Sequence, residues 1–162
     1  MKTIARSKIA AIALTVATSI SASSAFADYH LTAFGDTLGF GALLKEDTAT
    51  IEKIFASSDV ARMDYFEINN LCVAQILLED FDSAVASCST ALEKADYSSE
   101  LTVQGEKVAL AAIYSNLAIA KVLTGDTAGA GVALEASLSL NKKDDNASMN
   151  YDQIKTTLVA GD

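Results

Sequence analysis

Three short segments share one pattern, and that pattern commits the chain to paired helices. They read Leu44-Lys45-Glu46-Asp47-Thr48, Leu77-Leu78-Glu79-Asp80-Phe81 and Leu123-Thr124-Gly125-Asp126-Thr127. Each places Leu three residues before an Asp, with Glu or Gly directly ahead of it. An Asp between two apolar helical runs acts as N-cap of the second, because its carboxylate accepts from the free N–H groups of the first turn. Each segment therefore predicts the tight turn of a helix hairpin.

The flanks keep the same phase. Nine residues before each Asp stands Leu38, Leu71 or Leu117, followed by small Gly39, Cys72 or Ala118. Four residues after come Ile51, Ala84 and Ala130, eight after Phe55, Cys88 and Leu134, and eleven after Ser58, Ala91 and Ser137. Small residues at facing positions let two helices approach while large ones interlock around them. The chain has no Pro and no Trp, and its mature part has no runs of alternating β-branched residues, which favours helix throughout.

These spacings resemble those of tetratricopeptide repeats (TPR), whose period is about 34 residues. Leu71-Cys72, Phe81, Ala84, Cys88 and Ala91 carry the best match, and Tyr114, Leu117-Ala118, Gly125, Ala130 and Leu134 the second. Leu38 to Ser58 is the weakest unit, with a short, Gly-rich first helix and Ile51 in place of a small residue. The family's Pro at the repeat end is missing. The resemblance implies an all-α fold of stacked antiparallel helix hairpins, a TPR-like α-solenoid of about three units; a plain helix bundle is the alternative. Asp126 follows Asp80 by 46 residues and Asp80 follows Asp47 by 33, so the extra length falls in Asp96 to Lys107 as a loop or helix extension. After a polar connection, Lys142 to Asn146, the residues Met149, Tyr151, Ile154 and Leu158 recur at near-helical spacing. They predict an amphipathic C-terminal capping helix of the kind a repeat array needs.

The N-terminus reads as a bacterial-type export leader. Lys2, Arg6 and Lys8 precede an apolar run from Ile9 to Ile20, and Ala25-Phe26-Ala27 has the form of a cleavage site. Cleavage after Ala27 gives a signal peptide at 1–27 and one helical domain at 28–162; an uncleaved anchor is the alternative. Three of the 12 basic residues leave with the leader, so nine face 21 acidic ones, a net of −12. That field disfavours nucleic acid and anionic lipid, and no later segment is apolar enough to insert in a membrane. The predicted location is periplasmic or secreted.

Export sends Cys72 and Cys88, the only cysteines, to an oxidising compartment. They lie eight residues before and after Asp80, so the hairpin brings them level on its inward stripe. A disulfide fits there; the alternative is two reduced thiols packed as small hydrophobes.

Catalytic chemistry finds no platform. The single His30 follows the predicted cut closely, on what reads as a frayed, exposed terminus. Asp144-Asp145-Asn146-Ala147-Ser148 begins like a calcium loop, but Met149 and Lys155 stand where Gly and Glu are needed. Asn146-Ala147-Ser148 has the form of a glycosylation acceptor, in a chain with a bacterial-type leader. Gly39-x-Gly41 and the glycines 125, 129 and 131 make no nucleotide or phosphate loop. The expectation is a non-enzyme without metal or cofactor; an enzyme would need converging Asp/Glu pairs alone.

The TPR resemblance places first-helix residues on a concave binding face. In the second unit these include Phe66, Asn69, Val73 and Ile76, and in the third Ser115, Ile119 and Val122; Asp36, Phe40 and Leu43 match them in the first. The Lys and Arg that grip a carboxylate terminus in that family are absent here, while Asn69, Asn70 and Asn116 remain. The expected function is a protein-interaction scaffold taking a protein or peptide partner, with amides pairing its backbone. The alternative is an accessory or structural subunit whose groove is filled by its own N-terminal segment, Tyr29 to Phe40, or by the last helix.

Overall fold

The computed structural model describes residues 29–95 and 103–160. The expected leader, residues 96–102 of the expected connection, and the side chain of Leu158 lie outside the described residues. The described residues form helices and no strand: α1 (Phe40–Leu43), α2 (Thr48–Ala56), α3 (Tyr65–Leu77), α4 (Phe81–Ala95), α5 (Val103–Leu123), α6 (Thr127–Leu140) and α7 (Asp145–Ala160). A 3₁₀ turn at Val60–Arg62 links α2 to α3. Residues 103–107 belong to α5, so this part of the extra length is a helix extension.

The three Asp-centred segments fold into one kind of turn, with the same left-handed residue and the same backbone hydrogen bonds at its centre. Glu46, Glu79 and Gly125 each adopt a left-handed φ, of 52°, 62° and 89°. Their N–H groups donate to Leu43, Ile76 and Val122, three residues back. The N–H groups of Asp47, Asp80 and Asp126 donate to Ala42, Gln75 and Lys121, five residues back. This paired bonding closes a helix C-terminus. The same Asp then opens the next helix, its carboxylate accepting from the N–H of Thr50, Ser83 or Gly129 at 3.1, 3.4 and 2.9 Å. One residue thus ends one helix and starts another, which leaves no room for a longer loop. Asp64 and Glu67 form a reciprocal capping box at the start of α3.

Two of these caps make the fold acid-sensitive. The carboxyl of Asp47 is held below its ordinary 3.8 by the Thr50 hydroxyl and N–H, and that of Asp126 by Lys121 and the Gly129 N–H. Lowered folded values mean that this stabilisation is present above about pH 4 and is lost as pH falls through the depressed values. Thermal melts between pH 6 and 3 are therefore expected to fall less steeply for Asp47→Asn and Asp126→Asn than for the parent chain.

Each helix packs on the next, from α1 with α2 through α6 with α7. In addition α1 touches α3, α3 touches α5 and α5 touches α7, so the odd-numbered helices form one layer. Positions eight residues either side of each Asp meet across the pair. In the second pair they are Cys72 and Cys88, which form a disulfide with Cα atoms 5.3 Å apart. In the third, Ala118 and Leu134 are both fully buried in the main core. In the first, Gly39 faces Phe55: a Cβ on Gly39 would lie 2.5 Å from the Phe55 Cζ, at a φ of +80°. Gly39→Ala is expected to cost about 1–3 kcal/mol, from ring displacement and left-handed strain together. Urea denaturation measures it, and a neutral result would mean that α1 does not hold its place.

Lys94 of α4 secures the 3₁₀ turn. Its Nζ donates to the carbonyls of Val60, Ala61 and Met63 at 3.2, 3.3 and 2.7 Å. The last helix forms where expected and turns Ile154 and Tyr151 toward the core, but not Met149. Ala147, Asn150 and Ile154 are buried, Tyr151 packs partly against the core, and Met149 is exposed at 42%. Apolarity had placed Met149 inside; the amide of Asn150 takes that side because it has a partner there.

Candidate functional site

Residues 29–34 run as an extended segment against the layer of odd-numbered helices, and the fold closes around them. Leu31, Ala33 and Phe34 are 5%, 1% and 3% exposed. Leu31 and Ala33 join the main core with Val73, Ile76 and Ile119. Phe34 joins a second cluster, its ring edge-on to Phe66 with centroids 4.7 Å apart. The segment therefore ties two apolar clusters together.

An extended backbone without a neighbouring strand must find other partners for its polar groups. Here a row of asparagines supplies them. Asn150 Oδ1 accepts from the His30 N–H (2.8 Å), and its Nδ2 donates to the His30 carbonyl (2.9 Å). Asn116 does the same for Thr32, at 2.9 and 2.7 Å. Asn70 does the same for Phe34, at 2.8 and 3.0 Å. Every second residue shows its N–H and C=O to the same side of an extended chain, so one asparagine on each of α7, α5 and α3 reads alternate residues.

The row is braced internally. Asn69 Nδ2 also donates to the Thr32 carbonyl (3.0 Å), while its Oδ1 accepts from Asn116 Nδ2 (2.8 Å). Asn150 Nδ2 reaches Ser115 Oγ (3.0 Å), and Asn70 Nδ2 reaches Thr37 Oγ1 (2.6 Å). Asn146 donates to Thr32 Oγ1 (3.3 Å). Asn69, Asn70, Asn116 and Asn150 are each 0% exposed. All these partners are neutral, so the contact is read by backbone shape and not by charge.

The row follows the turn register. Asn70 and Asn116 each stand ten residues before their Asp, and Asn150 follows Asn116 by 34. Thr37 holds the corresponding place ahead of Asp47 and sits at the end of the row.

The residues on α3 and α5 that were expected to line a binding face lie in the two apolar clusters or in the asparagine row. Phe66, Asn69, Val73, Ile76, Ser115 and Ile119 are buried, and Val122 is half-buried against the main core. In the first unit, Leu43 is buried, Phe40 is half-buried and Asp36 is exposed. One expectation is corrected. His30 is not on a frayed, exposed terminus: it is half-buried, and Asn150 fixes its backbone on both sides. Asn146 is 7% exposed, with its amide turned to Thr32. Asn150 was the residue that sequence reasoning missed, although its 34-residue step from Asn116 marks it.

Among the described residues no group of three His, Cys, Asp or Glu is placed to hold a metal ion. No described helix is long and apolar enough to cross a membrane. No protein-family model, curated protein or solved structure matches the chain.

Proposed function

We propose that the chain is an exported, non-enzymatic, TPR-like interaction scaffold. Its concave first-helix face is a seat for an extended peptide, occupied at rest by the chain's own N-terminal segment. The observation that supports this reading is the asparagine row, in which three amides each grip both polar groups of alternate residues. Such a grip accepts any extended backbone that offers the right side chains between the amides. The recurring turn and the layer of odd-numbered helices support a solenoid of about three units, with α7 as cap. The buried disulfide supports an oxidising compartment beyond the cytoplasmic membrane.

A second reading has its own support in the near-complete burial of Ala33 and Phe34. On this view the segment is a fixed part of the core, and the protein is an accessory subunit with no independent ligand.

Thr32→Pro separates the two, because it removes the N–H held by Asn116 and leaves the seat untouched. The scaffold reading expects the variant to keep its helical circular dichroism and to bind a synthetic peptide spanning residues 29–34. That binding should disappear when Asn70→Ala is added. Loss of helix in Thr32→Pro, or a folded variant blind to the peptide, would favour the fixed-core reading.

A further inference from the structure

We propose that the N-terminal arm, residues 29–34, is exchanged between two copies of this chain, each arm seating on the other copy's asparagine row. The proposal rests on the scaffold reading only in taking the seat to be exchangeable.

The occupant that fits this seat is already known from the chain itself. Leu31, Ala33 and Phe34 fill the two clusters, and His30, Thr32 and Phe34 align with Asn150, Asn116 and Asn70. A second copy carries the same segment. It also solves a competition that a foreign peptide meets. A tethered arm opposes any free peptide at an effective concentration of about millimolar. Two copies that trade arms refill both seats, so no contact is lost.

The connection from arm to body turns at Asp36, between the seated arm and Thr37 and Leu38, which Asn70 holds. Residues 35–39 include Gly35 and Gly39 and turn the chain back through two left-handed residues, Asp36 at φ 57° and Gly39 at φ 80°. Asp36 is exposed, and as an Asp it tolerates this region better than most side-chain-bearing residues while still favouring release from it. Opening this turn releases it, and short hinges under such constraint favour exchange. Fully extended, five residues span about 17 Å, enough to carry the arm off its own body. The Cys72–Cys88 bridge fastens α3 to α4 and does not involve the arm, so exchange leaves it intact. The hydrogen-bond partners of residues 30–34 are uncharged, so exchange brings no like charges together at the contact. The bodies carry the excess acid of the chain, −9 over its full length, and salt should favour the pair by screening it.

Deleting Gly35 and Asp36, which spares the Thr37 that Asn70 holds, should leave the arm too short to turn back on its own body. Light scattering is expected to show twice the single-chain mass, with parental helical signal. Hydrogen exchange should still find the amides of His30, Thr32 and Phe34 protected. A folded single chain, whether or not those amides are protected, overturns the proposal. Should the shortened chain not fold, a mixture of ordinary and ¹⁵N-labelled full-length chains decides. After holding near the unfolding midpoint at high concentration and salt, it should contain mixed pairs; pairs absent overturns exchange. Binding of the free 29–34 peptide by the Thr32→Pro variant tests the scaffold reading separately, so a single shortened chain beside a peptide-binding Thr32→Pro variant would overturn exchange and leave that reading standing.

Discussion

Asn116→Leu is expected to lower the unfolding free energy by about 3–5 kcal/mol. Leucine fills the volume of asparagine and leaves no room for water to replace its amide. The Thr32 N–H then loses its acceptor, and Asn69 Oδ1 loses its donor, in surroundings from which solvent is shut out. Each orphaned buried group costs about 1–3 kcal/mol. The Thr32 carbonyl keeps Asn69 Nδ2, which bounds the loss. Urea denaturation gives the magnitude, and hydrogen exchange at Thr32 gives the location, since that amide should lose its protection first. Asn116→Asp is expected to fare no better: it restores the acceptor but aims a carboxylate at two oxygens. A cost of about 1 kcal/mol or less for Asn116→Leu would mean that the arm is not seated in solution.

Replacing both cysteines, Cys72→Ala with Cys88→Ala, should cost at least about 3 kcal/mol. The bridge closes a loop over a separation of 16 residues, for which the chain-entropy account gives about 3 kcal/mol. Both residues are 0% exposed, so removing the sulfurs also leaves unfilled space between α3 and α4. For a domain of this size the melting temperature should drop by about 10–15 °C. Reductant alone should act slowly on the native chain, at the rate of global opening, because no thiolate can reach the sulfurs of the closed pair. Rapid reduction without loss of helix would show that α3 and α4 part locally, and the core drawn here would then be wrong around them.

What could be read in advance divides along a physical line. The three turns were legible because their chemistry is local. An Asp that caps the following helix lies within a few positions of everything it bonds. The level pairing of Cys72 with Cys88 was legible for the same reason, since equal distances from one turn put two helical residues opposite each other. The arm was not legible as an element. Its partners lie 36, 84 and 120 residues away, and an extended segment held by side chains carries no periodicity of its own. The possibility of a self-filled groove could be named, but its means could not: asparagines expected to pair a partner's backbone proved to be fully buried against the chain's own arm. Met149 and Asn150 show the same limit. Apolar character alone puts Met149 inside, and only the position of His30 explains why Asn150 displaces it.

The arm also changes how the helices come apart. A row of helices that touch only their neighbours can fray from either end, one piece at a time. Here one strip of chain is bonded to α7, α5 and α3 in turn, so the last helix cannot peel away without freeing the first residues of the domain. Loosening at the C-terminal end is felt at the N-terminal end within one event. The molecule should therefore lose its structure cooperatively, with the amides of α3 and α7 sharing a single opening free energy in native-state hydrogen exchange.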